Sequence, residues 1–442
     1  MDSFIIQGGA PLAGSIRVQG SKNAALPLMA AALLTDQPVT LRGVPNLSDI
    51  RNMARLLAEL GCEPAWDPTS DRASTETPTS MTLRVADASI SHARYDIVRT
   101  MRASIGVLGP LLASRGKARV ALPGGCAIGE RPVDLHLHGL RALGAHITLD
   151  AGDIIAEAPA GGLRGARLFL GGPFGSTVLG TANVLSAATL AKGTTVIESA
   201  ACEPEIVDLA RLLNAMGARI SGAGSPRITV EGVSALVGAD HSVIPDRIEA
   251  GTLLAAAAAT RSEIELEDCP LDALMCFVQT LRDAGIEVEP TSENQDPVRA
   301  RCRVRCTADR PRPVTVTTQP HPGFPTDLQA QLMALLCLAD GNSVVTEKIF
   351  PDRFLHVAEL ARMGASIHRV GPTAVVSGVK QLIGAPVMAS DLRASACLVI
   401  AGLAAQGETR INRVYHLDRG YESLETRLAA IGANIERRPE GA

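Results

Sequence analysis

A short phrase, loosely Leu-x-x-x-Gly-x-x-Ile, returns six times along this 442-residue chain, as LLAELGCEP, LRALGAHIT, LLNAMGARI, LRDAGIEVE, LARMGASIH and LAAIGANIE. Its glycines, Gly61, Gly144, Gly217, Gly285, Gly364 and Gly432, are separated by 83, 73, 68, 79 and 68 residues. Each phrase reads as the end of an amphipathic helix, a glycine suited to its C-terminal stop, and the start of a strand. Upstream lies a second shared unit of apolar helix, polar turn and strand, as in LPLMAAALLTDQPVTLRGVP, VLSAATLAKGTTVIESAA and LVIAGLAAQGETRINRVY. A recurrence of this length marks a repeat architecture. The first helix of each unit is rich in Ala on nearly every side, so it must be buried all round, among other helices inside a shell of sheets. Six units divide evenly into two pseudo-threefold domains.

Composition narrows the function. With 46% hydrophobic and 20% charged residues the chain is globular. A net charge of -4 gives no general pull toward nucleic acid or anionic membranes, and 2% aromatic content leaves little for stacking on single strands. The start, MDSFIIQGGA, lacks the charged and apolar segments of a secretory signal, and apolar runs such as GTLLAAAAAT are too short to span a bilayer. Nine cysteines are scattered singly except for Cys302 and Cys306, which fall on one face of an alternating strand and offer no zinc spacing. The expectation is reduced thiols in the cytoplasm, with no metal, no nucleic acid and no membrane. Oligomeric state is left open, a monomer included.

The repeat allows equivalent positions to be compared within one chain. At the start of the buried helix the six units carry Lys22, Arg102, Ser176-Thr177, Arg247, Asp327 and Arg393. Helix N-termini attract anions, so a cation there is locally unfavourable. Either these are surface cations partnered by Asp or Glu, or they converge on an anion. Four cations in six equivalent places weigh toward convergence. A second set follows the second strand of a unit: PGGCAIGER with Cys126 and Arg131, FPDR with Arg353, and HLDRG with Arg419. Lys22, Arg131, Arg353, Arg393 and Arg419 are thus candidate ligands for a small, multiply charged anion, because guanidinium forks bind carboxylate and phosphate in pairs of hydrogen bonds. Cys126 lies among glycines beside Arg131, a setting that favours thiolate and movement. Cys276, Cys337 and Cys397, in apolar helical runs, read as core.

At these residues the chain resembles a known family over essentially its whole length, the enolpyruvyl transferases that act on UDP-N-acetylglucosamine. The resemblance is carried by GSKNAALP, TMRAS, LPGGCAIGERPVDLH, PDRIEAGT, FPTDLQAQ, DLRASA and YHLDRGYE. It implies an α/β (α+β) fold of two inverse α/β-prism domains, each of three βαβαββ-like units with buried helices inside a shell of sheets. The N-terminal domain would span 22–242, and 1–21 would join 243–442 in the other. The implied reaction moves the carboxyvinyl group of phosphoenolpyruvate (PEP) to the 3-hydroxyl of the sugar by addition and elimination, without a cofactor. Cys126 would donate the proton to PEP, and it is the residue that the epoxide fosfomycin alkylates in this family. Lys22, Arg131, Arg393 and Arg419 would clamp PEP, joined by Asn23 and Arg353, and Asp327 would take the proton of the sugar hydroxyl. Asn23, Arg102, Arg131, Pro132, Val133, Asp134, Leu135, Thr177, Val178, Asp327 and Ile349 would hold the nucleotide sugar.

Some segments depart from the family. Gly175, in GGPFGSTVLG, stands where many members carry Lys, Cys202 stands where Arg is common, and 67–80 is a longer, more polar loop. GGPFG fits neither a dinucleotide nor a Walker pattern. Three other readings share parts of this pattern: a shikimate-branch transferase, a non-catalytic paralogue with a regulatory binding role, and an RNA 3'-phosphate cyclase. The cyclase requires a nucleotidylated His, for which His416 is the nearest candidate.

Overall fold

The computed structural model describes residues 2–67, 79–123, 133–291, 296–306 and 308–439, so most of the polar loop at 67–80 and the stretch holding Cys126, Arg131 and Pro132 lie outside it. The described chain forms two compact units, one of residues 20–123 and 133–244, the other of 2–19 and 245–439. Each has its own continuous apolar core.

All six repeat glycines have positive φ, between 77° at Gly61 and 103° at Gly432. They follow the outer helices Ser48–Glu59, Asp134–Ala142, Pro204–Ala215, Met275–Asp283, His356–Arg362 and Leu424–Ala430 by two residues. In the second unit of the repeat, the Gly144 N–H bonds to Arg141 O and Ala145 N–H to Leu140 O. A left-handed residue lets the last turn bond its free carbonyls and send the chain back as a strand.

Three inner helices fill each compact unit. They are Lys22–Ala31, Leu108–Arg115 and Val178–Ala188 in one, and Arg247–Ala259, Gln329–Leu336 and Leu392–Ala404 in the other. Arg247–Ala259 is buried at every residue, as an Ala-rich helix with no polar face requires. In the second and fifth repeats the inner helix does not start where the cation pattern implies. Arg102 opens a 3-10 helix, Arg102–Val107, and Asp327 lies in a 3-10 turn, Thr326–Leu328, each ahead of the α-helix proper.

Six four-stranded sheets enclose the helices, and all share one plan: an edge strand parallel to its neighbour, then two antiparallel pairings. The plan is completed by distant chain in three of them. Ala239–Ser242 lies parallel to Val39–Arg42, Ala13–Arg17 lies parallel to Glu263–Cys269, and Asp2–Gln7 sits between Glu408–Asn412 and Ile435–Pro439. Strand Ala300–Cys306 shows the alternation expected of it. Cys302 and Val304 point inward, while Arg301, Arg303 and Arg305 pair with Glu265, Glu263 and Glu287 on adjacent strands. Cys337 and Cys397 are core, as expected, but Cys276 is only half-buried at the start of its helix. GGPFG forms a small hairpin in which Gly171–Gly172 pairs with Gly175–Ser176.

Candidate functional site

In the unit of residues 2–19 and 245–439, three expected residues meet. Asp327 reaches Arg353 Nη1 through Oδ1 at 2.8 Å and Arg393 Nη2 through Oδ2 at 2.9 Å. The arginine side chains are 8% and 5% exposed, that of Asp327 27%. Burial raises the Asp327 carboxyl, but the charges of Arg393 and Arg353 and their hydrogen bonds outweigh it and hold it well below the usual carboxylate range. Burial alone would lower Arg393; Asp327, Tyr421 and Asp246 reverse that and raise it.

The supports of this cluster come from local sequence. Asp391 caps the Leu392–Ala404 helix, its Oδ1 accepting from Arg393 N at 2.9 Å and Ala394 N at 3.1 Å, which fixes the backbone from which Arg393 projects. The buried Tyr421 hydroxyl lies 3.4 Å from Arg393 Nη1 and 2.8 Å from Thr252 Oγ1, and its ring sits beside the guanidinium. Burial pushes the Tyr421 hydroxyl up, so it stays a neutral partner. Glu347, fully buried, accepts from Thr318 Oγ1, Thr326 Oγ1, Ile349 N and Phe350 N, at 2.7 to 3.0 Å. One carboxylate therefore ties the turn that carries Asp327 to the loop that carries Ile349 and leads to Arg353. Arg353 Nη1 also donates to Thr326 Oγ1 at 3.0 Å.

In the unit of residues 20–244, Lys22 opens its inner helix behind the Ser21 cap. Its Nζ lies 3.2 Å from Asp49 Oδ2, at the first turn of Ser48–Glu59, and both side chains are at least nine-tenths covered. Of the cations at helix starts, Lys22, Arg247 and Arg393 are buried and Arg102 is partly buried, so none is a surface group. For Lys22 and Arg393 the charges of Asp49 and Asp327 offset the repulsion by the helix dipoles. Asn23, Arg102, Val133, Leu135, Thr177 and Val178 are partly buried, and Asp134 is exposed. Thr177 caps the Val178–Ala188 helix, its Oγ1 accepting from Gly180 N at 3.2 Å. Ile349 and Arg419 are partly buried in the other unit. His416 is lowered by burial and then by the Arg419 charge, so the two are neighbours.

Cys126, Arg131 and Pro132 lie outside the described residues. Sequence reasoning missed Asp49, Glu347, Asp391 and Tyr421. Only Asp391 had a local signal, an Asp at a cap position two residues before Arg393; the others act through tertiary pairings. Among the described residues no cluster of three His, Cys, Asp or Glu could hold a metal ion. No helix among them is long and apolar enough to cross a membrane. In the unit of residues 2–19 and 245–439, two guanidinium forks can pair with an anion, and the carboxylate between them can accept a proton once its arginines are engaged elsewhere.

The chain matches the family described as EPSP synthase (3-phosphoshikimate 1-carboxyvinyltransferase) over residues 6–428. It is 54% identical over 438 residues to the UDP-N-acetylglucosamine 1-carboxyvinyltransferase of Anaeromyxobacter sp. (strain Fw109-5), with 99% of each chain covered. It is 54% identical over 442 residues, with 100% of each covered, to that of Paracoccus denitrificans. Among solved structures it is similar to the enolpyruvyl transferase NikO from Streptomyces tendae, with TM-score 0.85, 22% identity and 99% of each chain covered. EPSP synthase from Acinetobacter baumannii is similar at TM-score 0.74 and 18% identity, covering 99% of this chain and 100% of the other.

Proposed function

This chain belongs to the UDP-N-acetylglucosamine 1-carboxyvinyltransferases within the EPSP synthase family, and we propose that it transfers the enolpyruvyl group of PEP to the sugar 3-hydroxyl, releasing phosphate. The reaction opens peptidoglycan precursor synthesis. Substrate choice rests on the full-length identity, which favours this reading over the shikimate branch and over a silent paralogue.

Protonation of C3 of PEP builds positive charge at C2, where the sugar oxygen adds while the hydroxyl proton leaves to a base. The tetrahedral adduct then loses phosphate from C2 and a proton from C3. Cys126 serves as the acid at C3. Lys22, Arg131, Arg353, Arg393 and Arg419 bind the phosphate and carboxylate of PEP, and Asn23 orients the sugar and the adduct. Arg102, residues 131–135, Thr177, Val178 and Ile349 hold the nucleotide sugar.

Asp327 is the base, and the observation that supports this role is its place between Arg353 and Arg393. Held so, its carboxylate is a weak base. An arriving PEP competes for both guanidiniums, and each bond transferred to the substrate lifts the Asp327 pKa toward the range where it accepts a proton. The base is thus armed by the substrate it serves. The substrates are small molecules, no nucleic acid or membrane takes part, and eight described cysteines, all free thiols, fit work in the cytoplasm.

Mass spectrometry of the product tests the reading. A UDP-N-acetylglucosamine derivative bearing one carboxyvinyl group in place of hydrogen is expected. Its absence, with turnover of shikimate 3-phosphate instead, would move the chain to the other branch.

A further inference from the structure

We infer that Asn183, on the inner helix begun by Thr177 and Val178, is a positioning residue for the nucleotide sugar. It lies fully buried in the middle of the inner helix Val178–Ala188. Its amide Nδ2 donates to Ile105 O at 2.9 Å and to His136 Nδ1 at 2.8 Å, and its Oδ1 accepts from Gly109 N at 2.8 Å. The amide orientation is dictated, because a carbonyl needs the NH2 and an N–H needs the oxygen. His136 Nδ1 therefore carries no proton and acts as acceptor.

Two of these partners flank a break between helices, and the third lies in the first turn of another helix. Ile105 belongs to the 3-10 helix Arg102–Val107, and Gly109 is the second residue of the α-helix Leu108–Arg115 that follows it. At that break the first N–H groups of the new helix have no partner within it. Asn183 bridges the break, taking the Gly109 N–H and supplying a donor to Ile105, and so sets the angle at which the segment opening with Arg102 leaves the helix. Through His136 it also holds the first turn of Asp134–Ala142, which carries Asp134 and Leu135. Two glycines bring these helices close enough. A Cβ at Gly109 would lie 2.2 Å from Asn183 O, and one at Gly139 2.3 Å from Val184 Cγ2.

One amide thus fixes three segments that the proposed function assigns to the nucleotide sugar: Arg102, Asp134 with Leu135, and the helix begun by Thr177 and Val178. None of the residues given to PEP or proton transfer is among its partners. The inference rests on that assignment of substrate.

Titration calorimetry with UDP-N-acetylglucosamine in the absence of PEP tests it, alongside steady-state kinetics. Asn183→Leu removes all three bonds and keeps the branched outline of the side chain. It is expected to weaken nucleotide-sugar binding about tenfold or more and raise that KM, with kcat and the KM for PEP within about threefold. Thr189→Val, just beyond the other end of the same helix where Thr189 Oγ1 donates to Ser186 O at 2.7 Å, is the control for lost stability alone. Should Asn183→Leu fail to fold, Asn183→Asp carries the test, since it keeps the acceptor for Gly109 and loses only the donors. Affinity within about twofold of the unsubstituted enzyme, or an equal loss in Thr189→Val, overturns the inference. No binding by the unsubstituted enzyme would instead overturn the proposed substrate.

Discussion

Asp327 carries opposed demands at the scale of single residues. Two arginines stabilise its charge, which suits folding, while general-base catalysis needs that charge to become basic on cue. Asp327→Asn keeps the shape and removes the base, so kcat should fall by about 10²–10⁴ in a phosphate-release assay with both substrates saturating. The same residue has a stability signature. Its folded pKa is depressed, so the stabilisation is present above the unfolded value of about 4 and is lost as pH falls toward the folded one. Urea unfolding should show Asp327→Asn less stable than the parent by about 1.5–3 kcal/mol at pH 7, with the gap closing only below about pH 4. A gap constant down to pH 3 would contradict the ion-pair account. Lys22, Arg353, Arg393 and Asp327 were all legible as special because the repeat lined them up. Their partners were not: nothing in the spacing of Lys22 and Asp49 announces a bond, since it depends on how two helices meet.

Among elements, the six glycines turned a vague periodicity into defined structure, because a left-handed helix end is one of the few backbone states that a residue type betrays. Their surroundings differ, which permits a graded test. At Gly364 a Cβ would meet nothing within 4 Å, whereas at Gly61 it would lie 2.1 Å from Asp87 O. Thermal denaturation of Gly364→Ala should therefore show only the cost of positive φ, about 1–2 kcal/mol. Gly61→Ala should lose more, since backbone must also move. Equal losses would mean that the contact near Asp87 relaxes freely. The 3-10 starts at Arg102 and Thr326 escaped the sequence reading for the complementary reason. An i to i+3 turn ahead of an α-helix has no residue signature distinct from the helix itself.

Across the whole molecule, sheets completed by distant strands explain why the repeats do not stand alone. Asp2–Gln7 pairs on both sides, so it is a central strand of its sheet although it begins the chain. Deleting residues 2–17 removes that strand and its neighbour on Glu263–Cys269. Circular dichroism and gel filtration of the deleted protein should show loss of cooperative melting and aggregation; a soluble species with the parent's melting curve would contradict this closure. The threefold prism was legible because it is written six times, while the Cys126 chemistry was legible only by resemblance. Cys126→Asp should therefore retain activity and lose sensitivity to fosfomycin, and unchanged inhibition would remove Cys126 as the alkylated group. Phosphate release from PEP, measured with and without UDP-N-acetylglucosamine, tests the proposed reaction most directly. Release strictly dependent on the nucleotide sugar is the predicted result; release without it, or only with shikimate 3-phosphate in its place, would contradict the assigned reaction.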